Sequence, residues 1–440
     1  MTLNRRDLLA GVGGIAATAA FRKLGTQLAP APALAAMGEE IPLGQRLIGA
    51  GFPRKADFNI AEGATYLNNA STHPIPIASM QAYRAFVERR GRVGEPASPA
   101  GAGGGGGGIR GSGEVRDLSP TAAFAALINA KPSEVGYVQN TSNGENLVIE
   151  SLGLDRKFEG NVVTDWLHFE GALVHLMELK KQGLDVRVAQ PRDGRIDMKD
   201  LERLVDKNTK LVEVSFVAMY NGFQHDLKAV SDLAHAHGAY VYADIIQGVG
   251  AVPLDVGAAG VDFAACATYK WLMGDFGLGF FYCREELIGK IRHPHVSYPS
   301  ASIEMHHSPF DPRHEAHMSY MLRSETSAMS QTGTTASGVA AALGVSLPYL
   351  QELGIENIQD YRKPLLKKLQ DELPRLGFTP QTPPESTSPI VTFALKDTTQ
   401  AAQKLRDARV SVSVYPYAIR IAPSIYNDMA DVDRLLEALS

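Results

Sequence analysis

Cysteine and tryptophan are the scarcest reactive and aromatic residues here: two of each among 440 residues. Cys266 and Cys283 each lie inside an apolar, strand-like run, so neither a disulfide framework nor a nucleophilic thiol on a loop is expected. An excess of charge of one sign is also missing. With 43 Lys and Arg against 48 Asp and Glu, the net charge is -5 and the pI about 6.2, which gives no electrostatic footprint for nucleic acid. No internal repeat is visible.

What the chain does have is enough apolar content, 45%, and enough length for two domains. Its start suggests a location. Arg5 and Arg6 are paired, small apolar residues run from Leu8 to Phe21, and Ala33-Leu34-Ala35 offers a small-residue cleavage site. This is the pattern of a twin-arginine export signal over residues 1–35, with the export machinery as a partner and a periplasmic or secreted destination. A basic leader or a short membrane anchor is the alternative, although the apolar run falls short of the ~20 residues a spanning helix needs.

Residues 36–75 read as an N-terminal segment, 76–335 as a large domain and 336–440 as a smaller one. Within the large domain, residues 93–116 are glycine-rich, with six consecutive glycines from Gly103 to Gly108, and offer no side chains to bury. They read as a flexible insertion; no Lys-Ser/Thr follows them, as a phosphate-cradling loop would require. From Pro120 onward, strand patterns at 161–164, 211–217, 239–243, 263–268 and 278–283 alternate with helical stretches at 144–152, 171–182 and 227–237. The expected fold is α/β, a mainly parallel sheet covered by helices. Helical runs at 336–353 and 358–376, then short strands at 390–394, 411–415 and 418–421, with helices at 399–408 and 429–439, complete a small C-terminal α+β domain.

One constellation carries the chemistry. Asp244 closes the strand Tyr240-Val241-Tyr242-Ala243, and Lys270 follows in Thr268-Tyr269-Lys270-Trp271-Leu272, between two apolar runs. A carboxylate buried at a strand end needs a cationic partner. A lysine flanked by Trp271, Leu272 and Met273 is poorly placed for the surface. This pair is what a pyridoxal phosphate (PLP) enzyme requires, a lysine that carries the cofactor covalently and a carboxylate that keeps the pyridine nitrogen protonated. Gln247 is within reach of the phenolic oxygen, and Thr268 or Tyr269 of the phosphate. Thr141 and Ser142 precede an apolar helix, where hydroxyls and free N–H groups either bind a phosphate or simply cap the helix. His168 lies just past a strand end, where an aromatic could stack on the pyridine face; Trp166 and Phe169 compete for that role. No residue is assigned to a metal.

The motif Asp244-x-x-Gln247, then Thr268-Tyr269-Lys270-Trp271-Leu272-Met273-Gly274-x-x-Gly277-x-Gly279, resembles the class V aminotransferase family. The resemblance extends from Tyr66-Leu67-Asn68-Asn69-Ala70-Ser71 to the C-terminus. It implies PLP-dependent fold type I and a homodimer with sites at the interface. Asn69 would lie on the substrate side, Thr334 would reach the partner's phosphate, and Arg420, six residues before Tyr426-Asn427, would grip a substrate carboxylate. Desulfurases of the family carry a cysteine shortly before that arginine, whereas Val410 to Ile419 contains none and holds Tyr415-Pro416-Tyr417. From that absence, from Tyr269 where many relatives have histidine, and from the export signal, the nearest relatives are expected to be isopenicillin N epimerase-like, kynureninase-like or exported siderophore-tailoring members, not typical cysteine desulfurases. The expected activity is aminotransferase-type chemistry on an amino acid or a peptide-borne amino group. A C–S lyase or epimerase of the same fold is the alternative, and a non-catalytic binding protein is the alternative of another class.

Overall fold

The computed structural model describes residues 51–92, 119–305, 310 and 318–440. The export-signal and glycine-rich readings, residues 1–35 and 93–116, lie outside the described residues.

Seven strands form the large sheet: β1 (Val135–Val138), β2 (Asn161–Asp165), β3 (Asp185–Ala189), β4 (Thr209–Ser215), β5 (Tyr240–Asp244), β6 (Phe263–Ala267) and β7 (Gly279–Cys283). Their spatial order is β1-β7-β6-β5-β4-β2-β3. Both pairings of β7 are antiparallel and the others are parallel, so six strands share one direction. β2, β6 and β7 are buried at every position, as expected of central strands with both faces covered. Val162, Leu211, Phe263 and Phe281 lie in one apolar cluster with Leu147 and Leu176 from the covering helices.

A second, smaller sheet contains β8 (Thr379–Pro380), β9 (Val391–Ala394), β10 (Ser413–Tyr415) and β11 (Ala418–Ile421), in the order β8-β9-β11-β10 and antiparallel throughout. Helices Ile355–Glu372, Thr399–Asp407 and Met429–Leu439 cover it, and its core includes Leu67 from the N-terminal segment. That segment is fastened to the small domain by Thr65–Tyr66, which pairs in parallel with Val410–Ser411 as a separate two-stranded ladder. The architecture is therefore PLP-dependent fold type I: a large, mainly parallel sheet domain and a smaller C-terminal α+β domain.

Strand and helix positions expected from the sequence match these elements closely. β1 and β3 were not expected, and neither was the hairpin of Ala301–Met305 with Met318–Leu322. β1 and β3 are the edges of the large sheet, where one side of the strand has no neighbour and the apolar pattern weakens.

Candidate active site

The site forms at the C-terminal ends of the parallel strands, where open α/β sheets leave a crevice. β5 ends on Asp244, whose Oδ1 accepts a hydrogen bond from Ile246 N at 3.1 Å. After β6 the chain turns sharply. Thr268 Oγ1 donates to the carbonyls of Asp275 (2.7 Å) and Leu278 (3.0 Å), and Gly274 N donates to Thr268 O (2.8 Å), so Lys270 stands on a closed, fastened loop.

The helix Thr141–Ser151 points its N-terminus at the same place. Asn140 is its cap, its side chain accepting from Asn143 N at 2.9 Å. Asn140 O takes Gly144 N, so the N–H groups of Thr141 and Ser142 remain open, as the first turn of a helix requires. Neither hydroxyl of these two residues has a hydrogen bond among the described residues. Gly144 allows the helix to lie against β6: a Cβ there would stand 2.5 Å from that of Ala265.

Two cavities share Lys270, Tyr269 and Phe169 as a common wall. The carboxylate-side cavity, about 410 Å³, is lined by Thr141, Ser142 and Asp244. The arginine-side cavity, about 580 Å³, is lined by Ser71, Arg420 and Tyr415-Pro416-Tyr417. A larger cavity, about 630 Å³, opens elsewhere around His225, Asp255 and Ser386 and holds none of the residues selected from sequence.

Electrostatics single out the wall. Burial pulls Lys270 down to about 8, with Asp244 opposing the shift and Arg420 adding to it, and its ammonium has no hydrogen-bond or ion-pair partner among the described residues. Burial raises Asp244, opposed by His168 and Lys270. Arg420 is 2% exposed and donates to Met219 O (3.0 Å), Ser71 Oγ (2.7 Å) and Ser413 Oγ (3.0 Å), with its guanidinium 5.9 Å from the Tyr415 ring centroid. It has no acidic partner among the described residues, its Nε is buried without a hydrogen bond, and burial lowers its pKa. A buried guanidinium in that state is arranged for an anion that arrives from outside.

Several residues selected from sequence sit elsewhere. His168 does not line either cavity. It is turned into the sheet, with Nδ1 2.8 Å from Ser215 Oγ and Nε2 3.0 Å from Glu213 Oε1, while Phe169 forms the wall and Trp166 is largely exposed. Burial lowers His168 and raises Glu213 to about 8, which favours a neutral imidazole beside a neutral acid. Close by, His225 Nε2 lies 3.2 Å from Asp165 Oδ2 and keeps that carboxyl below its usual range against the effect of burial.

Gln247 is occupied at both ends, donating to Ala70 O (2.9 Å) and accepting from Trp271 Nε1 (3.0 Å). Asn69 is likewise spent, donating to Ala422 O (2.8 Å) and accepting from Tyr426 Oη (2.6 Å); Ser71 takes the place on the cavity wall that was expected for it. Thr268 is buried and engaged in its own turn. Thr334 lines a separate cavity of about 200 Å³, bounded by Gln139, Asn143 and Gly277. Sequence reasoning passed over Ser71, Ser413 and Met219 as partners of Arg420. The run of polar residues at Ser411 and Ser413 beside an arginine strand was the available signal.

The fit to the cofactor can be judged on these groups. Open hydroxyls and N–H groups at a helix start suit a phosphate, a strand-end carboxylate suits a pyridinium, and an unpartnered lysine stands between them. The aminotransferase class-V profile matches residues 119–435. The chain belongs to the class V aminotransferase family. Pyridoxal phosphate is the family cofactor, and this chain is a PLP-dependent enzyme.

Within the family, the chain is 28% identical over 317 residues to the probable cysteine desulfurase of Methanothermobacter thermautotrophicus, covering 72% of this chain and 74% of the relative. It is 27% identical to the cysteine desulfurase of Haloferax volcanii over 54% of each chain. The apo structure of the cysteine desulfurase from Thermococcus onnurineus superposes with a TM-score of 0.73 at 21% identity, covering 88% of this chain and 97% of that one. These matches overturn the expectation that the nearest relatives are epimerase-like, kynureninase-like or siderophore-tailoring members. That expectation rested on the absent loop cysteine, on Tyr269 before the lysine and on the export signal. The similarity runs through the whole matched region, residues 119–435, and does not depend on one loop residue.

Proposed function

We propose that this protein, related to the cysteine desulfurases, is a PLP-dependent C–S lyase that acts on an amino acid with sulfur on its β-carbon and releases that sulfur as free sulfide or thiol. The observation that carries the reading is Lys270 on the wall between the Asp244 cavity and the Arg420 cavity. An α-amino acid held by its carboxylate at Arg420 and Ser71 presents its α-hydrogen to the lysine amine. That the relatives include cysteine desulfurases favours sulfur as the leaving atom over transamination.

In this reading Thr141, Ser142 and the helix start would hold the phosphate, Asp244 would hold the ring nitrogen, and Phe169 would pack against the ring. Bound PLP supplies the electron-accepting ring that acidifies the α-hydrogen. Lys270, pulled down to about 8, exchanges that proton near neutral pH. Gln247, Thr268 and His168 support the wall from behind. Cys266 and Cys283 are both buried, and burial pushes both thiols far above their usual range, so neither is set up to take sulfur from the substrate. A homodimer, with Thr334 serving the partner's site, and export by the twin-arginine route complete the proposal. Replacing Arg5 and Arg6 by Lys should leave the protein in the cytoplasm.

Product analysis tests the reaction. Cysteine incubated with the holoenzyme should give pyruvate, ammonium and sulfide in equal amounts by NMR and sulfide assay. A keto acid that retains its sulfur would refute the lyase reading.

A further inference from the structure

We propose that the arginine-side cavity selects a cysteine that carries an aromatic group on sulfur, with Tyr220, Tyr415 and Tyr417 as the recognition surface. The inference rests on the C–S lyase reading and names its substrate class. Three observations lead to it.

Size is the first. At about 580 Å³ the cavity falls in the ~300–1,000 Å³ range of sites for drug-sized ligands, far more than a three-carbon amino acid fills. The second is the character of the wall. Beyond Arg420 and Lys270 it includes Tyr220, Tyr415 and Tyr417 with Met219 and Pro416, and Tyr220 and Tyr417 leave 46% and 71% of their surface uncovered. Exposed ring surface facing a cleft favours a flat aromatic partner, by stacking and by burial of apolar area. Arg420 is committed to the α-carboxylate and Lys270 to the α-proton, and the third charge on this wall, Glu170, is an anion, so a second anionic group on the substrate finds no further cation among the described residues. Third, the leaving sulfur has no thiol to receive it, since Cys266 and Cys283 are buried in β6 and β7. An aryl thiolate is stable enough to depart by itself.

The chemistry balances without an oxidant or reductant. The α-proton passes to the Lys270 amine, the Cβ–S bond breaks with its electron pair leaving on sulfur, and the thiolate takes up a proton. One water is consumed, and the products are the aryl thiol, pyruvate and ammonium.

The test compares S-phenylcysteine with S-methylcysteine. Calorimetric binding to the PLP-loaded Lys270→Ala protein, which cannot turn over, separates recognition from leaving-group ability. We expect at least about tenfold tighter binding of the phenyl compound, and loss of that preference in a Tyr220→Ala/Tyr417→Ala protein that keeps its cofactor. In wild type, S-phenylcysteine should release thiophenol and pyruvate together. Equal affinities for the two compounds, or a preference that survives both tyrosine substitutions, would overturn the inference. If cysteine yields sulfide and pyruvate while S-phenylcysteine is untouched, the aromatic assignment fails and the lyase reading stands. If every compound yields only sulfur-retaining keto acid, the lyase reading itself fails.

Discussion

The two sides of Lys270 are built on opposite plans. On the carboxylate side the supporting groups are buried and mutually partnered: Asp244 closes β5, His168 bridges Ser215 and Glu213, and Gln247 ties Trp271 to the N-terminal segment. On the arginine side a buried cation has no acid to balance it among the described residues, and tyrosine surface lines the cleft. The first arrangement suits a permanent occupant whose position must not vary, the second a substrate that brings its own charge and leaves. Substitutions on the two sides should therefore separate cofactor effects from substrate effects.

The largest effect should come from the shared wall. Lys270→Ala is expected to lower turnover by at least ~10³-fold, in the range of lost proton-transfer catalysis, and to abolish the visible absorption of the lysine-bound cofactor. In wild type the cofactor needs the uncharged amine, so reconstitution followed by absorbance should accelerate as pH rises through about 8. A rate flat across that range would separate Lys270 from the cofactor.

Arg420→Ala should come next. Loss of a charged hydrogen-bonding grip, ~1.5–3 kcal/mol, predicts a fall in kcat/KM of about 10- to 100-fold, with the cofactor spectrum unchanged. Cofactor loss in this variant would mean that the two sides are one site. Phe169→Ala should do the converse and weaken PLP binding, measured by equilibrium dialysis, by about tenfold, given the ~0.5–1.5 kcal/mol of a stacked ring and the apolar area it covers.

The smallest effect lies deepest. Glu213 holds its proton to about 8 in the folded protein but releases it near the ordinary glutamate range when unfolded. The folded state thus binds more protons between those values, and stability falls as pH rises from about 5 to 8. Glu213→Gln should flatten that slope in denaturant melts at several pH values. An unchanged slope would mean that Glu213 is ionised and paired with His168.

Much of this site was legible in the sequence, and the misses share a cause. Asp244 and Lys270 could be read because each follows an apolar strand and each is a charge with an unusual cost of burial. Phe169 and His168 could not be ranked. Successive residues after a strand end point in different directions, and the partner that holds His168 inward, Glu213, is 45 residues away on β4. Gln247, Asn69 and Thr268 have suitable donors, yet the carbonyls of Ala70, Ala422 and Asp275 claim them, and backbone carbonyls leave no mark in a sequence. The fold was clearer than the site, since strand and helix periodicity sums over many residues.

The central claim is that the chain breaks a C–S bond and keeps none of the sulfur. The measurement that tests it most directly is pyruvate and sulfide or thiol release by a Cys266→Ala/Cys283→Ala protein that is folded and carries its cofactor. The account predicts both products in equal amounts at rates within about twofold of wild type, since small core thiols act as packing. Loss of sulfur release with the fold and the cofactor spectrum intact would contradict it.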